Sequence, residues 1–83
     1  MEQWRKSFRK DYKRLTRRQK EAWADAFELF VDDPHAFKLR RHKLSGDYSG
    51  LESIDVMPDL RALFVEEDDC YMFYYIGNHN QLY

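Results

Sequence analysis

Several side chains that could exchange protons or bind phosphate lie in the second half of the chain. They are His42, Asp55, Asp59, Arg61 and His79, with Arg41 and Lys43 flanking the first of them. Histidine titrates near neutral pH, a carboxylate can accept a proton or orient a histidine, and arginine binds phosphate through two donors. Metal-free RNA cleavage needs such a set: a base for the 2′-OH, an acid for the leaving 5′-oxygen and a cation for the phosphate.

Each of these residues also has a purely structural interpretation. Asp59 follows a proline and could be a turn residue, and His79 in G-N-H-N could also lie in a turn. Arg61 could pair with a carboxylate on a neighbouring strand, and His42 could be a solvated loop residue. Taken one at a time, the residues leave the choice between chemistry and structure open.

Common motifs of metal, nucleotide and nucleophile sites are absent from the sequence. It has no H-E-x-x-H, no glycine-rich phosphate loop and no G-x-S-x-G, and its three histidines are spread apart. Because Cys70 is the single cysteine, we expect neither an intrachain disulfide nor a cysteine-based metal cluster. No apolar run reaches the roughly 20 residues of a membrane span, and the first residues do not resemble a signal peptide. We therefore expect a cytoplasmic protein with no metal, no cofactor and no membrane partner.

The last third of the chain, residues 51–83, predicts the sheet that must position these side chains. Three short apolar runs rich in β-branched and aromatic residues are separated by M-P-D and E-E-D-D, as in an antiparallel meander. In the first run Ile54 and Val56 share one face, and Ser53 and Asp55 share the other. The second run is apolar on both faces, which predicts a central strand.

Two helices are predicted before this sheet. Aromatic and leucine residues at helical spacing favour a first helix over about residues 6–15, leaving residues 2–4 for a possible opening strand. Thr16 begins a capping box, T-R-R-Q, and predicts a second helix over residues 17–31 that D-D-P ends. We therefore predict one α+β domain, residues 1–83, with a helical hairpin packed on a small twisted antiparallel sheet of three to four strands.

Charge is divided unevenly along the chain. Residues 1–43 contain 13 Lys and Arg against 7 Asp and Glu, whereas residues 44–83 contain one arginine against 8 acids. A basic first half is compatible with phosphate binding, although it could equally be the solvated face of amphipathic helices. The connection over residues 34–50 contains the basic run K-L-R-R-H-K and is either a functional loop or a solvated connector.

The order of the candidate residues resembles that of a known toxin superfamily. H-K-L-S-G (42–46), S-I-D-V-M-P-D-L-R-A-L-F-V (53–65) and G-N-H-N-Q-L-Y (77–83) together resemble the RelE/ParE superfamily, and most closely its YafQ branch. S-F-R-K-D-Y-K-R-L (7–15) resembles the first-helix signature of these toxins. The resemblance implies the toxin of a type II toxin-antitoxin system, held inactive by a cognate antitoxin, that cleaves mRNA on the ribosome without a metal. Its basic helices would face ribosomal RNA.

The resemblance also implies roles for individual residues. His42 matches the histidine of the family's H-x-L-x-G loop, Asp59 the aspartate of its P-D turn, and His79 the histidine of its G-x-H ending. We expect His79 to be the general acid and Asp59 with His42 to supply the base. Arg61 matches an arginine that contacts phosphate in other RelE-like toxins.

Further residues complete the expected site, and two of them differ from the YafQ pattern. Arg41 and Lys43 would help to bind the substrate, and Tyr83 would stack on or position a base. Asp55 stands where the pattern has a histidine and would replace it in catalysis, and Leu60 stands where the pattern has an aromatic. Two alternatives stay open: a non-enzymatic toxin of the same fold that inhibits gyrase, and a catalytically weakened module that only binds antitoxin.

Overall fold

The computed structural model describes residues 1–83 as a five-stranded mixed sheet with two helices on one face and a short third helix after the last strand. The strands are β1 (Glu2–Trp4), β2 (His42–Lys43), β3 (Glu52–Met57), β4 (Leu60–Glu67) and β5 (Cys70–Gly77). The helices are α1 (Lys6–Lys13), α2 (Arg17–Asp32) and α3 (His79–Leu82), and two 3₁₀ turns cover Phe37–Leu39 and Gly46–Tyr48. None of the helices is long and apolar enough to cross a membrane.

The strand order β1-β5-β4-β3-β2 confirms the meander and corrects the number of strands. Strands β2 to β5 pair antiparallel, and β4 is central as predicted. The prediction of three to four antiparallel strands is wrong in two respects, because β2 adds a fifth strand and β1 pairs parallel to β5. Residues 2–4, the possible opening strand, do form β1, whereas the two residues of β2 are too short for a pattern of alternation to reveal.

Both main helices form close to their predicted positions. The Thr16 hydroxyl accepts from the Gln19 N–H at 3.1 Å, and Gln19 Oε1 accepts from the Thr16 N–H at 2.9 Å, which confirms the capping box. Helix α1 ends at Lys13, two residues before its predicted end, and α2 continues one residue further, to Asp32. The helical hairpin on the sheet is therefore confirmed.

An aromatic core joins the helices to the sheet. Phe8, Trp23 and Phe30 of the helices are buried against Phe64 and Phe73 of β4 and β5. Their rings lie 5.0–5.9 Å apart in tilted or edge-to-face pairs, the geometry that aromatic quadrupoles favour. Large rings thus supply the apolar area that a domain of this size needs.

The sheet face opposite the two helices, here called the open face, has its own small buried patch. Leu63 and Leu82 are buried but lie outside the aromatic core. Tyr75 pairs with Leu63 across β4 and β5, and its ring is 5.9 Å from the ring of Tyr48 in the second 3₁₀ turn. The loop before β3 and helix α3 therefore cover part of the open face.

Side chains of helix α1 form hydrogen bonds with backbone groups at an irregularity in β5. The register of β4 and β5 shifts between Leu63 and Phe64, which leaves Tyr74 out of the ladder. The Ser7 hydroxyl donates to the Tyr74 carbonyl at 2.6 Å, and the Asp11 carboxylate accepts from the Ile76 N–H at 3.2 Å. These two bonds give a physical reason for S-x-x-x-D in the first-helix signature, because buried backbone groups need partners.

Two aspartates form the turn between β4 and β5 in a conformation that favours glycine. Asp68 and Asp69 have φ of 49° and 64°, and the pairing of Glu67 with Cys70 closes a two-residue hairpin. We expect Asp69→Gly to raise the free energy of unfolding by about 1 kcal/mol, because glycine has no Cβ to strain at positive φ. Urea unfolding measures this. Glu67→Gly, in the adjacent strand, should instead destabilise, and equal effects of the two changes would contradict the turn assignment.

Candidate functional site

One row of paired residues on the open face carries two of the predicted site residues. Asp55 lies opposite Arg61, and Arg61 lies opposite Gly77, across β3, β4 and β5. Ile54 and Ala62, their neighbours along the strands, are buried in the core, so alternation places Asp55 and Arg61 on the open face. Arg61 Nε is 3.5 Å from Asp55 Oδ1. The strand-pairing alternative for Arg61 is confirmed, yet the side chain stays 39% exposed and accessible to a ligand.

Asp55 contacts a second arginine that the sequence analysis did not select. Arg40 Nε is 3.6 Å from Asp55 Oδ2, so each carboxylate oxygen faces a different guanidinium. Arg40 follows the first 3₁₀ turn with φ 49° and ψ 47°, and this left-handed backbone directs the chain into β2. In the run K-L-R-R-H-K no spacing distinguishes Arg40 from Arg41. The sequence therefore gave no signal for Arg40.

Asp59 and His79 lie beyond the same end of the β4–β5 ladder. The last paired residues there are Arg61 and Gly77, and each of the two side chains belongs to a residue two positions further along its own segment. Asp59 lies in the turn between β3 and β4, and His79 is the first residue of α3; both are exposed. Antiparallel pairing thus brings this turn, the start of α3 and the Asp55–Arg61 pair to one end of the sheet.

Helix α3 is held close to β5 and ends on an aromatic residue. Asn78 and Gln81 form a second capping box, with bonds of 2.8 and 2.9 Å. A Cβ added to Gly77 would lie 3.0 Å from Gln81 Oε1, so the glycine of the G-x-H ending allows this close approach. The His79 ring packs at 4.9 Å on the ring of Tyr83, which is 51% exposed. The sequence predicted a turn in this segment, with its end docked on the fold. In the structure the segment forms one helical turn.

His42 lies on the edge strand β2, one row from Asp55 and Arg61. It pairs with Ser53, which shares the open face with Asp55, and its ring is exposed. His42 Nδ1 is 3.0 Å from the Arg40 carbonyl oxygen. Because a carbonyl only accepts, Nδ1 must carry the hydrogen, and in the neutral ring Nε2 is left as a proton acceptor.

Arg41 does not reach the open face, contrary to its expected role in substrate binding. Its guanidinium bonds Glu52 at 2.8 and 3.0 Å and Glu66 at 2.9 Å, and it lies 5.1 Å and 5.6 Å from the rings of Phe64 and Tyr71. Its side chain is only 8% exposed. Hydrogen bonding to Glu52 raises the pKa of Arg41, and Arg41 in turn lowers the pKa of Glu52. The residue holds the edge of the sheet together on the helix side.

Lys43 also points away from His42. It pairs with Glu52, whose carboxylate meets Arg41 on the helix side, and consecutive strand residues face opposite ways. The strand register therefore places Asp55, Asp59, Arg61 and His79 towards one end of the sheet, with His42 one row away. Arg41 and Lys43 lie on the other side.

A cleft of about 580 Å³ borders this cluster between α2 and the end of β3. Arg40, Asp55 and Arg61 line it together with residues of α2 and of the first 3₁₀ turn. Its size lies within the range of ligand-binding clefts. No three His, Cys, Asp or Glu side chains of the chain are grouped to hold a metal ion.

The helices do not form one basic surface. Eight basic residues occupy α1, its C-cap and the first turn of α2: Lys6, Arg9, Lys10, Lys13, Arg14, Arg17, Arg18 and Lys20. The rest of α2 exposes only acids among its charged residues: Glu21, Asp25, Glu28 and Asp32. The expectation that both helices are basic is therefore wrong for most of α2.

Comparison with known proteins gives one family and a consistent fold. Residues 2–83 match the family described as the bacterial toxin of a type II toxin-antitoxin system, YafQ. The crystal structure of YafQ from E. coli strain BL21(DE3) is 20% identical with a TM-score of 0.84, covering 100% of this chain and 97% of that one. YafQ in the E. coli DinJ-YafQ toxin-antitoxin complex is 20% identical with a TM-score of 0.81, covering 100% of this chain and 96% of that one. The YoeB/ParE toxin from Agrobacterium tumefaciens is 21% identical with a TM-score of 0.74, covering 95% of this chain and 99% of that one. No curated protein sequence matches the chain.

Proposed function

The chain belongs to the YafQ family of bacterial toxins of type II toxin-antitoxin systems, and from this membership we propose that it is a ribosome-dependent mRNA endoribonuclease. Cleavage would use attack by the 2′-OH and general acid/base catalysis without a metal. The observation that supports this proposal is the strand register, which places the Asp59 turn, Arg61 and the start of α3 at the same end of the β4–β5 ladder, with Arg61 also lining the cleft. An acid, a base and a phosphate-binding cation are the groups that this reaction requires.

His79 is the proposed general acid. It stands at the start of α3 with its ring exposed, and its contact with Tyr83 fixes the ring without burying it. The exposed Tyr83 ring can stack on a base of the RNA and so align the leaving oxygen with the imidazole. Protonated histidine donates readily near neutral pH, which suits release of the 5′-oxygen.

The base side is shared by Asp59 and His42. Asp59 is exposed at the turn next to the phosphate cation, Arg61, and can accept the 2′-OH proton directly or through a water. The free Nε2 of His42 offers a second acceptor one row away. Arg61 retains enough exposure to bind the phosphate.

Asp55 is proposed to orient arginines instead of accepting the proton. Both of its oxygens face guanidinium groups, so a 2′-OH would have to displace an arginine to reach it. We expect Asp55→Asn to lower the cleavage rate by less than about tenfold, because its contacts with the two arginines are long ion pairs, at 3.5 and 3.6 Å, on a partly exposed carboxylate. Steady-state cleavage of a ribosome-bound message measures this. A loss as large as that of a His79 variant would show that Asp55 transfers the proton.

The partners proposed are a cognate antitoxin, the ribosome and its mRNA, in the cytoplasm. The solved DinJ-YafQ complex supports an antitoxin partner, since the E. coli relative assembles with one. The eight basic residues of α1 and the start of α2 support contact with ribosomal RNA, because phosphate binding by Lys and Arg releases counterions.

Sequencing of RNA ends after induction of the toxin tests the proposal. New 5′ ends within translated messages, absent when translation is blocked, are expected. DNA breaks with intact transcripts would instead indicate a gyrase inhibitor. Tight antitoxin binding without growth arrest would indicate a binding module. Either result would overturn the nuclease proposal.

A further inference from the structure

The loop between β2 and β3, residues 44–50, is an ordered arch over the open face. The Leu44 N–H donates to the Leu51 carbonyl at 3.0 Å and closes the loop at its base. Gly46 and Gly50 have φ of 69° and 97°, which residues with a Cβ rarely adopt. The two glycines let the chain reverse within seven residues. Tyr48 stands at the top of this arch, in the 3₁₀ turn between them.

Tyr48 contacts the chain end that carries the proposed acid. Its hydroxyl donates to the Leu82 carbonyl, and its ring meets the ring of Tyr83 edge-on at 5.4 Å and an interplanar angle of 88°. Tyr83 in turn packs on His79. Burial and the neighbouring tyrosines raise the pKa of Tyr48, so the phenol keeps the hydrogen that it donates. A continuous chain of contacts thus runs from the arch to the imidazole.

Helix α3 needs such an external contact. It has four residues, and one helical turn is not stable by itself in water. The last carbonyls of a helix have no partner within it, and the Leu82 carbonyl is one of them. The other contacts of α3 with the sheet are the buried Leu82 side chain and the close approach to Gly77. The bond from Tyr48 adds a hydrogen bond from outside the helix to the end of the turn next to Tyr83.

We propose that Tyr48 is a positioning residue: it fixes α3 on the sheet and thereby holds the His79 and Tyr83 rings where the RNA is cleaved. This inference rests on the proposed function for the role of His79, and it adds a residue from a loop that has no proton-transfer group of its own. Loss of the Tyr48 hydroxyl should therefore slow turnover more than it weakens substrate binding, since the basic surface and Arg61 are unchanged and only the Tyr83 ring is less firmly held among the binding contacts.

Tyr48→Phe tests the proposal, with Tyr12→Phe as the matched control. Tyr12 is a half-buried tyrosine of α1 that contacts Trp4 at 5.6 Å and has no contact with α3. In Tyr48→Phe we expect the Leu82 and Tyr83 amides, which donate to Asn78 and His79, to exchange with solvent about 3- to 10-fold faster, the range given by one hydrogen bond. Amides of β4 should keep their protection. The kcat for RNA cleavage should fall by a similar factor, with a smaller change in KM.

The two readouts separate failure of this inference from failure of the proposed function. If the wild-type toxin cleaves no RNA, the proposed function is wrong, and amide exchange alone then supports or overturns the hold of Tyr48 on α3. If wild type cleaves and Tyr48→Phe equals Tyr12→Phe in exchange and in kcat, Tyr48 does not position α3. Faster exchange with unchanged kcat, or a rise in KM alone, would likewise overturn the positioning role.

Discussion

Replacement of His79 by alanine is expected to lower RNA cleavage by about 10²- to 10⁴-fold and to relieve growth arrest. That range is the usual contribution of a positioned general acid. His79 is the exposed residue at the start of α3, and its ring contacts only the Tyr83 ring among the aromatic side chains. The measurement is single-turnover cleavage of a ribosome-bound message, with colony growth under induction as the readout in cells.

The fold should survive this change, because little of it depends on the imidazole. The capping box of α3 uses Asn78 and Gln81, and the buried anchor is Leu82. The melting temperature and antitoxin binding of the variant should therefore match those of wild type. His35→Ala removes another exposed histidine, one outside the cluster at the end of the sheet, and should leave cleavage unchanged. A fully toxic His79→Ala protein would contradict the assignment of the acid.

Sequence patterns predicted the elements whose signals are local. The capping box at Thr16 is complete within four residues, and the D-D-P that ends α2 acts through the backbone of its own neighbours. The meander could be predicted because three apolar runs alternate with turn residues over residues 51–83. In each case the residues that decide the structure are adjacent in the chain, and the sequence displays them together.

The missed features depend on partners that are distant in the chain. Strand β1 pairs with β5, about seventy residues later in the chain. Because this pairing is parallel, no hairpin turn joins the two strands, and no turn sequence predicts that they pair. Arg40 and Arg41 are consecutive, yet one meets Asp55 and the other Glu52, because the left-handed backbone at Arg40 and the alternation in β2 send them to different faces. Tyr48 was not predicted as a site residue because no local sequence feature indicates that its hydroxyl reaches Leu82.

The candidate site also combines residues that motifs identify with an arrangement that depends on distant parts of the chain. The family pattern supplied His42, Asp59, Arg61 and His79, and the register of the strands supplies the reason for their order. Pairing of Arg61 with Gly77 brings the P-D turn and the G-x-H ending to one end of the sheet, although they are separated by the whole β4–β5 hairpin. The spacing between the motifs is therefore the length of two paired strands, which neither motif encodes by itself.

Arg41→Ala is expected to lower the free energy of unfolding by about 3 kcal/mol. Removal of the guanidinium leaves the carboxylate of Glu52, only 16% exposed, without its cation, and breaking a mostly buried ion pair in this way costs about 3–5 kcal/mol. Packing over Phe64 and Tyr71 is lost as well. Arg41→Lys keeps the charge but loses the bidentate bond and should fall between alanine and wild type. Guanidinium chloride unfolding measures all three proteins.

Arg40→Ala is the matched control, one residue away. Its side chain is 77% exposed and 3.6 Å from Asp55, so the change should cost less than about 1 kcal/mol. If the two alanine variants are equally stable, Arg41 is not the structural residue that its contacts indicate.

The pH dependence distinguishes the loss of this ion pair from a general loss of packing. Because Arg41 lowers the pKa of Glu52 in the folded protein, the pair stabilises wild type above the ordinary glutamate pKa, and that contribution is lost as the pH falls through the lowered one. In Arg41→Ala the main influence that lowers the pKa of Glu52 is gone; burial raises this pKa against the weaker effects of Lys43 and His35, so protonation in acid relieves the unpaired charge. The stability difference between wild type and Arg41→Ala should therefore shrink as the pH falls. A difference that stays constant between neutral and acid pH would assign the loss to packing over the rings instead of to the carboxylate.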